Sequence, residues 1–285
     1  MNSLPHLFID SVHAIMPDYD LPNLRELRLT NWSKVSEKLK TREVDLVIGC
    51  AKTETSTKWY MKFWNGLSQL IPPDVVMATK NVRVVSVEVL GIDGTSDFDQ
   101  AREITQEIIN NVVKRFIKAN LVSYPKSLKI DPDLSFPDVD YGDRLFAELE
   151  IAYCGPNSLE MLKHQAAFSD IKSVKLRGEW PEEAKPLLST IMENPLCQAI
   201  VTENHRLPPE LFYALFERFL EDTNGLDVCF EGPTELEFEE IGAWEKELQV
   251  ECDDDGEVIW ESGSMRLEVS IKDGRIEAIL WDTDE

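Results

Sequence analysis

Short apolar triplets recur along this chain at intervals of about 25 residues, and that period limits the possible folds more than any other feature. The template is an apolar residue, two free positions, then two apolar residues separated by one, closed three positions later by Asn or Cys. Phe146, Leu149, Ile151 and Cys154 fit it well, and Leu196, Ala199, Val201 and Asn204 fit with a small second anchor. Ile171, Val174 and Leu176 match the apolar half and depart at Glu179. Weaker copies run through Leu128 and Ile130, and through Leu226 and Val228. The anchors Leu128, Leu149, Val174, Ala199 and Leu226 lie 21, 25, 25 and 27 residues apart.

Such spacing is that of a leucine-rich repeat, in which each triplet forms a short parallel strand that points alternate side chains inward. Between the strands lie helix candidates at 157–168, 181–193 and 208–220, two of them opening near Pro181 and Pro208, where proline is tolerated. Stacked strand–helix units of this length make a curved solenoid. A conventional α/β domain with βα units of similar size is the alternative. In either case the residues alternating with the anchors face outward: Lys129, Glu150, Lys175, Arg177, Ile200, Thr202 and Asp227. They are the expected target-binding positions, and Lys129, Lys175 and Arg177 favour an acidic or phosphorylated partner.

Upstream, Val44–Gly49 and Val82–Leu90 read as valine-rich buried strands, and Ala101–Lys118 as an amphipathic helix through Ile104, Ile108, Val112 and Phe116. From Glu231 the period changes to two. Leu248–Glu251, Val258–Trp260, Met265–Ile271 and Ile276–Trp281 alternate, punctuated by Asp255-Gly256, Ser262-Gly263 and Asp273-Gly274, which predicts an antiparallel meander with tight turns. Residues 231–285 carry 19 acidic and 4 basic side chains, so this sheet is expected to act as a polar cap on the array.

The N-terminal residues carry a different pattern. Leu4, Leu7, Phe8, Val12, Ile15 and Met16 have helical spacing, Pro17 to Asp20 break the helix, and a second apolar run extends through Leu21, Leu24, Leu27, Trp32, Val35 and Leu39. Two helices this short cannot bury all those side chains between themselves; the surplus packs either on the chain's own core or on a partner helix. The order Leu4-Pro5, Phe8-Ile9, Val12, Pro17, Asp20-Leu21, Leu24, Leu27 and Trp32 resembles an F-box, in the style of the expanded F-box-like families of nematodes. That resemblance implies a substrate-recognition adaptor of a cullin-RING ubiquitin ligase. Leu4, Pro5, Phe8, Ile9, Val12, Leu21, Leu24 and Trp32 would bind the Skp-type linker subunit, and the repeat region would hold an unknown target protein.

The expected architecture is therefore α/β: an F-box-like helical hairpin over residues 1–42, a leucine-rich-repeat-like βα solenoid over 43–230 and an acidic antiparallel β cap over 231–285. A formal net charge of −24 disfavours nucleic acid and anionic membranes as partners. Five widely spaced cysteines fit reduced thiols, and with no signal-peptide pattern the expected location is cytoplasmic or nuclear. The four histidines have no neighbours at ligand or triad spacing, and Asp253-Asp254-Asp255-Gly256 lacks the spaced ligands of a calcium loop. The expectation is a non-catalytic protein with no metal and no cofactor. A scaffold of the same fold without ligase docking, and a small-molecule enzyme, stand as alternatives.

Overall fold

The computed structural model describes residues 42–52, 56–66, 68–92, 101–122, 125–131, 141, 144–168, 171–221, 227–241, 244, 248–252 and 257–283. The hairpin expected over residues 1–42 lies outside the described residues, Arg42 excepted. The chain divides into two compact units, one ending at Phe146 and the next beginning at Ala147.

In the first unit the strands are β1 (Glu43–Lys52), β2 (Thr57–Asn65), β3 (Leu70–Ile71), β4 (Arg83–Gly91), β5 (Arg102–Ile104) and β6 (Ser127–Ile130), with a short helix α1 (Pro73–Ala78). Their order is β6-β4-β1-β2-β3, and β5 also pairs with β2. β1 sits centrally, parallel to β4 and antiparallel to β2. Its run of Val, Leu and Ile suits that position, since a strand covered on both faces needs little alternation. Thr105 caps the following helix, its Oγ1 accepting the Ile108 N–H at 3.2 Å. That helix runs as α2 (Gln106–Ile108), a π-helical turn (Ile109–Val113) and α3 (Lys114–Asn120). Ile109, Val113 and Ile117, four apart, form its buried stripe. Phe116 meets Phe63 of β2 edge-on at 5.6 Å. Each such buried apolar side chain contributes about 1.5–3 kcal/mol.

The second unit begins with four parallel neighbours in chain order: β7 (Glu148–Ala152), β8 (Ser173–Arg177), β9 (Ala199–Thr202) and β10 (Val228–Pro233). Helices α4 (Pro156–Phe168), α5 (Lys185–Met192) and α6 (Pro209–Leu220) connect them. Right-handed crossovers between strands laid down in order put these helices on one face. α6 buries Leu211, Phe212, Leu215, Phe216 and Phe219. After a short helix α7 (Phe238–Ile241) come β11 (Gln249–Cys252), β12 (Glu257–Ser262), β13 (Met265–Lys272) and β14 (Arg275–Asp282), an antiparallel meander. Phe212 lies 6.4 Å from Phe230 and 6.5 Å from Trp260, so α6 packs on both the parallel strands and the meander. Trp260 donates its indole N–H to the Trp244 carbonyl at 3.2 Å, which satisfies its polar edge inside this aromatic core.

These strand pairings correct the expected architecture. A leucine-rich solenoid is parallel throughout, whereas the strands of each unit pair in mixed directions. In the first unit β2 runs antiparallel to β1, β3 and β5. In the second, the meander is no separate cap, because β14 is hydrogen-bonded along β10. The triplet period marked real strands at Leu149, Val174 and Ala199, and those strands pair in parallel. It could not distinguish a solenoid from an ordinary run of βα units, which has the same local length and apolar pattern. Among the described residues, no helix is long and apolar enough to cross a membrane.

One close approach fixes how β9 meets β10. A Cβ on Gly232 would stand 2.2 Å from Thr202 Oγ1 and 3.1 Å from Leu207. Thr202 Oγ1 is held there by donating to the His205 carbonyl at 2.6 Å. Gly232→Ala should destabilise the protein by about 1–3 kcal/mol through overpacking. Adding Thr202→Ala should recover part of that loss, so that the double variant is less destabilised than the sum of the singles by at least about 0.5 kcal/mol. Urea denaturation of the four proteins measures this coupling, and strict additivity would refute the contact.

Candidate functional site

The helices of the second unit leave the opposite face of its sheet to charged and partly exposed side chains. Registers fix which residues share that face. One row across the strands reads Glu150, Lys175, Val201, Glu231, Glu277, Ser270 and Glu257. The row beside it reads Glu148, Ser173, Ala199, Cys229, Ile279 and Glu268, and ends at Ile259, which is buried. Ala199, Val201, Cys229 and Ile279 are half-buried and give the centre of the face an apolar strip.

Charge surrounds that strip in a connected set. Arg177 donates Nε–H to Glu150 at 2.7 Å and a second bond from Nη2 to the same carboxylate, and it also lies 3.4 Å from Glu203. Lys175 reaches Glu150 at 3.9 Å. Arg275 pairs with Glu231 at 3.2 Å and donates to the backbone carbonyls of Glu203 and Thr202 at 2.7 and 3.3 Å. Part-exposed pairs of this kind add little stability, typically under about 1 kcal/mol each. They hold the side chains in place over the strand ends. Cys229 sits between Ala199 and Ile279; burial pushes its thiol up, and the neighbouring Glu277 and Glu231 push it the same way.

Of the expected target-binding residues, Glu150, Lys175 and Arg177 come together on this face. Asp227 is exposed just before β10. Lys129 belongs to the first unit, where it pairs with Glu88 at 3.7 Å. Ile200 and Thr202 are corrected: at 1% and 0% exposure they point into the core. The β8–β9 register aligns Val174 with Ile200 and Leu176 with Thr202, one residue out of step with the triplet read from Leu196, Ala199 and Val201. Cys197, Ile200, Thr202 and His205 have the same template spacing and are all buried. Burial pushes the Cys197 thiol up to about 11 and lowers the pKa of His205.

The slip hid Val201 and Glu203 from the sequence reading, and treating the meander as separate hid Glu231, Arg275, Glu277 and Ile279. The alternation of Val228 and Phe230 with Cys229 and Glu231 could have revealed the outward pair on β10. The expected linker-binding residues Leu4, Pro5, Phe8, Ile9, Val12, Leu21, Leu24 and Trp32 lie outside the described residues. Among the described residues of the first unit, an open cavity of about 380 Å³ includes Lys52, Trp59 and Thr105, and another of about 560 Å³ includes Pro72, Asp74 and Arg102. Among the described residues, no three His, Cys, Asp or Glu side chains gather as a metal-binding group.

No protein-family model matches the chain. No curated protein matches it. Among solved structures it is similar to MycE methyltransferase from the mycinamycin biosynthetic pathway in complex with Mg and SAH, at a TM-score of 0.25 and 11% identity. That alignment covers 99% of this chain and 94% of the other. A likeness at that level carries no argument about fold or function.

The electrostatics of the face can be read through Cys229. At neutral pH it should alkylate more slowly than exposed Cys154. Removing two neighbouring charges in Glu231→Gln/Glu277→Gln should speed Cys229 alkylation by roughly two- to fivefold, because less repulsion opposes the thiolate. Peptide mapping after timed iodoacetamide exposure measures both. An unchanged Cys229 rate would show that the two carboxylates do not govern this face.

Proposed function

We propose that this protein is a non-catalytic adaptor that binds a target protein on the open sheet face of its second unit. The observation that carries the reading is the half-buried strip of Ala199, Val201, Cys229 and Ile279, framed by pre-positioned charged side chains. Interfaces use this combination, with an apolar centre for affinity and a polar rim for register. The F-box-like order from Leu4 to Trp32 supplies the second half of the proposal, docking on a Skp-type linker subunit of a cullin-RING ubiquitin ligase. An adaptor of this type needs only binding and geometry, because holding a target near a ligase raises its effective concentration.

The two halves separate experimentally. Affinity capture with the full chain should retain a linker subunit that is lost with Phe8→Ala/Leu21→Ala. Val201→Arg/Ile279→Arg should retain the linker and lose the targets, since anchor residues are typically worth about 1–3 kcal/mol each. Circular dichroism and urea midpoints check that both variants stay folded. Loss of targets without any linker dependence would identify a scaffold that does not dock on a ligase. Targets retained by the face variant would refute the binding reading.

A further inference from the structure

The face carries a charge asymmetry that fits a partner of one kind. Most of its cations are already engaged: Lys175 and Arg177 with Glu150, Arg177 with Glu203, Arg275 with Glu231, and Arg266 with Glu261 at 3.0 Å, while exposed Lys272 stands at the far end of β13 opposite Arg275. An acidic or phosphorylated partner would have to displace carboxylates that already hold those cations. The surplus charge is negative. Glu268 and Glu277 have no ion pair among the described residues. Glu277 also stands directly opposite Glu231 across β10 and β14, and like charges in that position cost stability. Between these carboxylates lie Cys229 and Ile279, half-buried and neutral.

We propose that the open face binds a basic amphipathic segment of its protein partner, with lysines or arginines on Glu231, Glu268 and Glu277 and apolar side chains on the Ala199–Cys229–Ile279 strip. The inference rests on the protein-binding reading above and specifies the chemistry of the target. It reverses the expectation drawn from Lys129, Lys175 and Arg177. A cation placed between Glu231 and Glu277 relieves their repulsion, so binding removes a cost that the free sheet bears. Attraction between exposed charges also steers encounter and weakens with salt.

The probe is a fluorescein-labelled helical peptide with lysines on one face and leucines on the other; a twin with glutamates for lysines serves as the control. Anisotropy titrations use the full chain at low salt and at about 0.15 M. The lysine peptide should bind in a salt-dependent manner, and the glutamate twin should not. Glu231→Gln/Glu268→Gln/Glu277→Gln should weaken the lysine peptide by roughly tenfold. Glu183→Gln/Glu210→Gln/Glu217→Gln removes the same charge from exposed helix-side positions and should change affinity less than about twofold. The pair Glu268→Gln/Glu277→Gln leaves the Glu231–Arg275 contact intact and should still weaken binding, which guards against misfolding of the triple variant. Equal losses in the two triple variants would mean bulk attraction to an acidic protein and would overturn the inference. Binding of the glutamate twin would overturn it as well. Neither result touches the adaptor reading, which stands or falls on whether Val201→Arg/Ile279→Arg loses captured targets.

Discussion

The second unit depends on β10, which must end a parallel series and begin an antiparallel one. Its backbone pairs with β9 on one edge and β14 on the other. A parallel strand left as an edge would expose a row of unpaired amides, a template for aggregation. The meander removes that edge, and its side chains complete the core beneath it. Phe230 on the inner side of β10 faces Phe212 of α6, which also contacts Trp260 of β12. Gly232 permits the crossing, because any larger residue would occupy the space of Thr202 and Leu207. Chain stretches that differ in period, charge and strand direction thus share one hydrophobic core.

Local signals in the sequence were legible where one interaction dominates. Asp273-Gly274 predicts a two-residue hairpin, and both residues have positive φ, 54° and 71°, as the primed turn requires. Gly263 similarly opens the β12–β13 turn with φ 60°. The helices at Pro156–Phe168 and Pro209–Leu220 follow from their apolar stripes, and the second also from Pro208 at its start. Register was harder. In residues 196–205, both the set through Leu196, Ala199 and Val201 and the set through Cys197, Ile200 and Thr202 satisfy the same spacing. The neighbouring strand decides between them, since Val174 and Leu176 must share a face with Ile200 and Thr202. A one-residue slip exchanges inside for outside along a whole strand.

Topology was less legible for the same reason. Long-range pairing leaves little local trace, so nothing in Thr57–Asn65 declares that β2 runs against β1 while β4 runs with it. The candidate site inherits that difficulty. Glu150, Lys175 and Arg177 can be placed on one face from a local repeat, but Glu231, Arg275 and Glu277 join them only after β10 and β14 are paired. The acidity of residues 231–285 has the same explanation. It reads as solvation of a cap along the chain; in the sheet, several of these carboxylates line the face shared with the parallel strands.

A sheet face can spread its charges into alternating pairs, as Glu150, Arg177 and Glu203 do, or concentrate one sign at a cost. This face does both, with pairs over β7 to β9 and a carboxylate surplus over β13 and β14. Ion pairing on the first half fixes side chains and leaves little attraction for an outside charge. On the second half, Glu231 and Glu277 repel each other across neighbouring strands, and Arg275 offsets part of that repulsion by pairing with Glu231. The aromatic core under β10, β12 and α6 is large enough to absorb a penalty of this size, because one buried aromatic outweighs an exposed like-charge pair. A face can keep such local repulsion when stability comes from the side beneath it. The helix-packed surface and the open surface of one sheet are thereby specialised, one for holding the fold and the other for what it can bind.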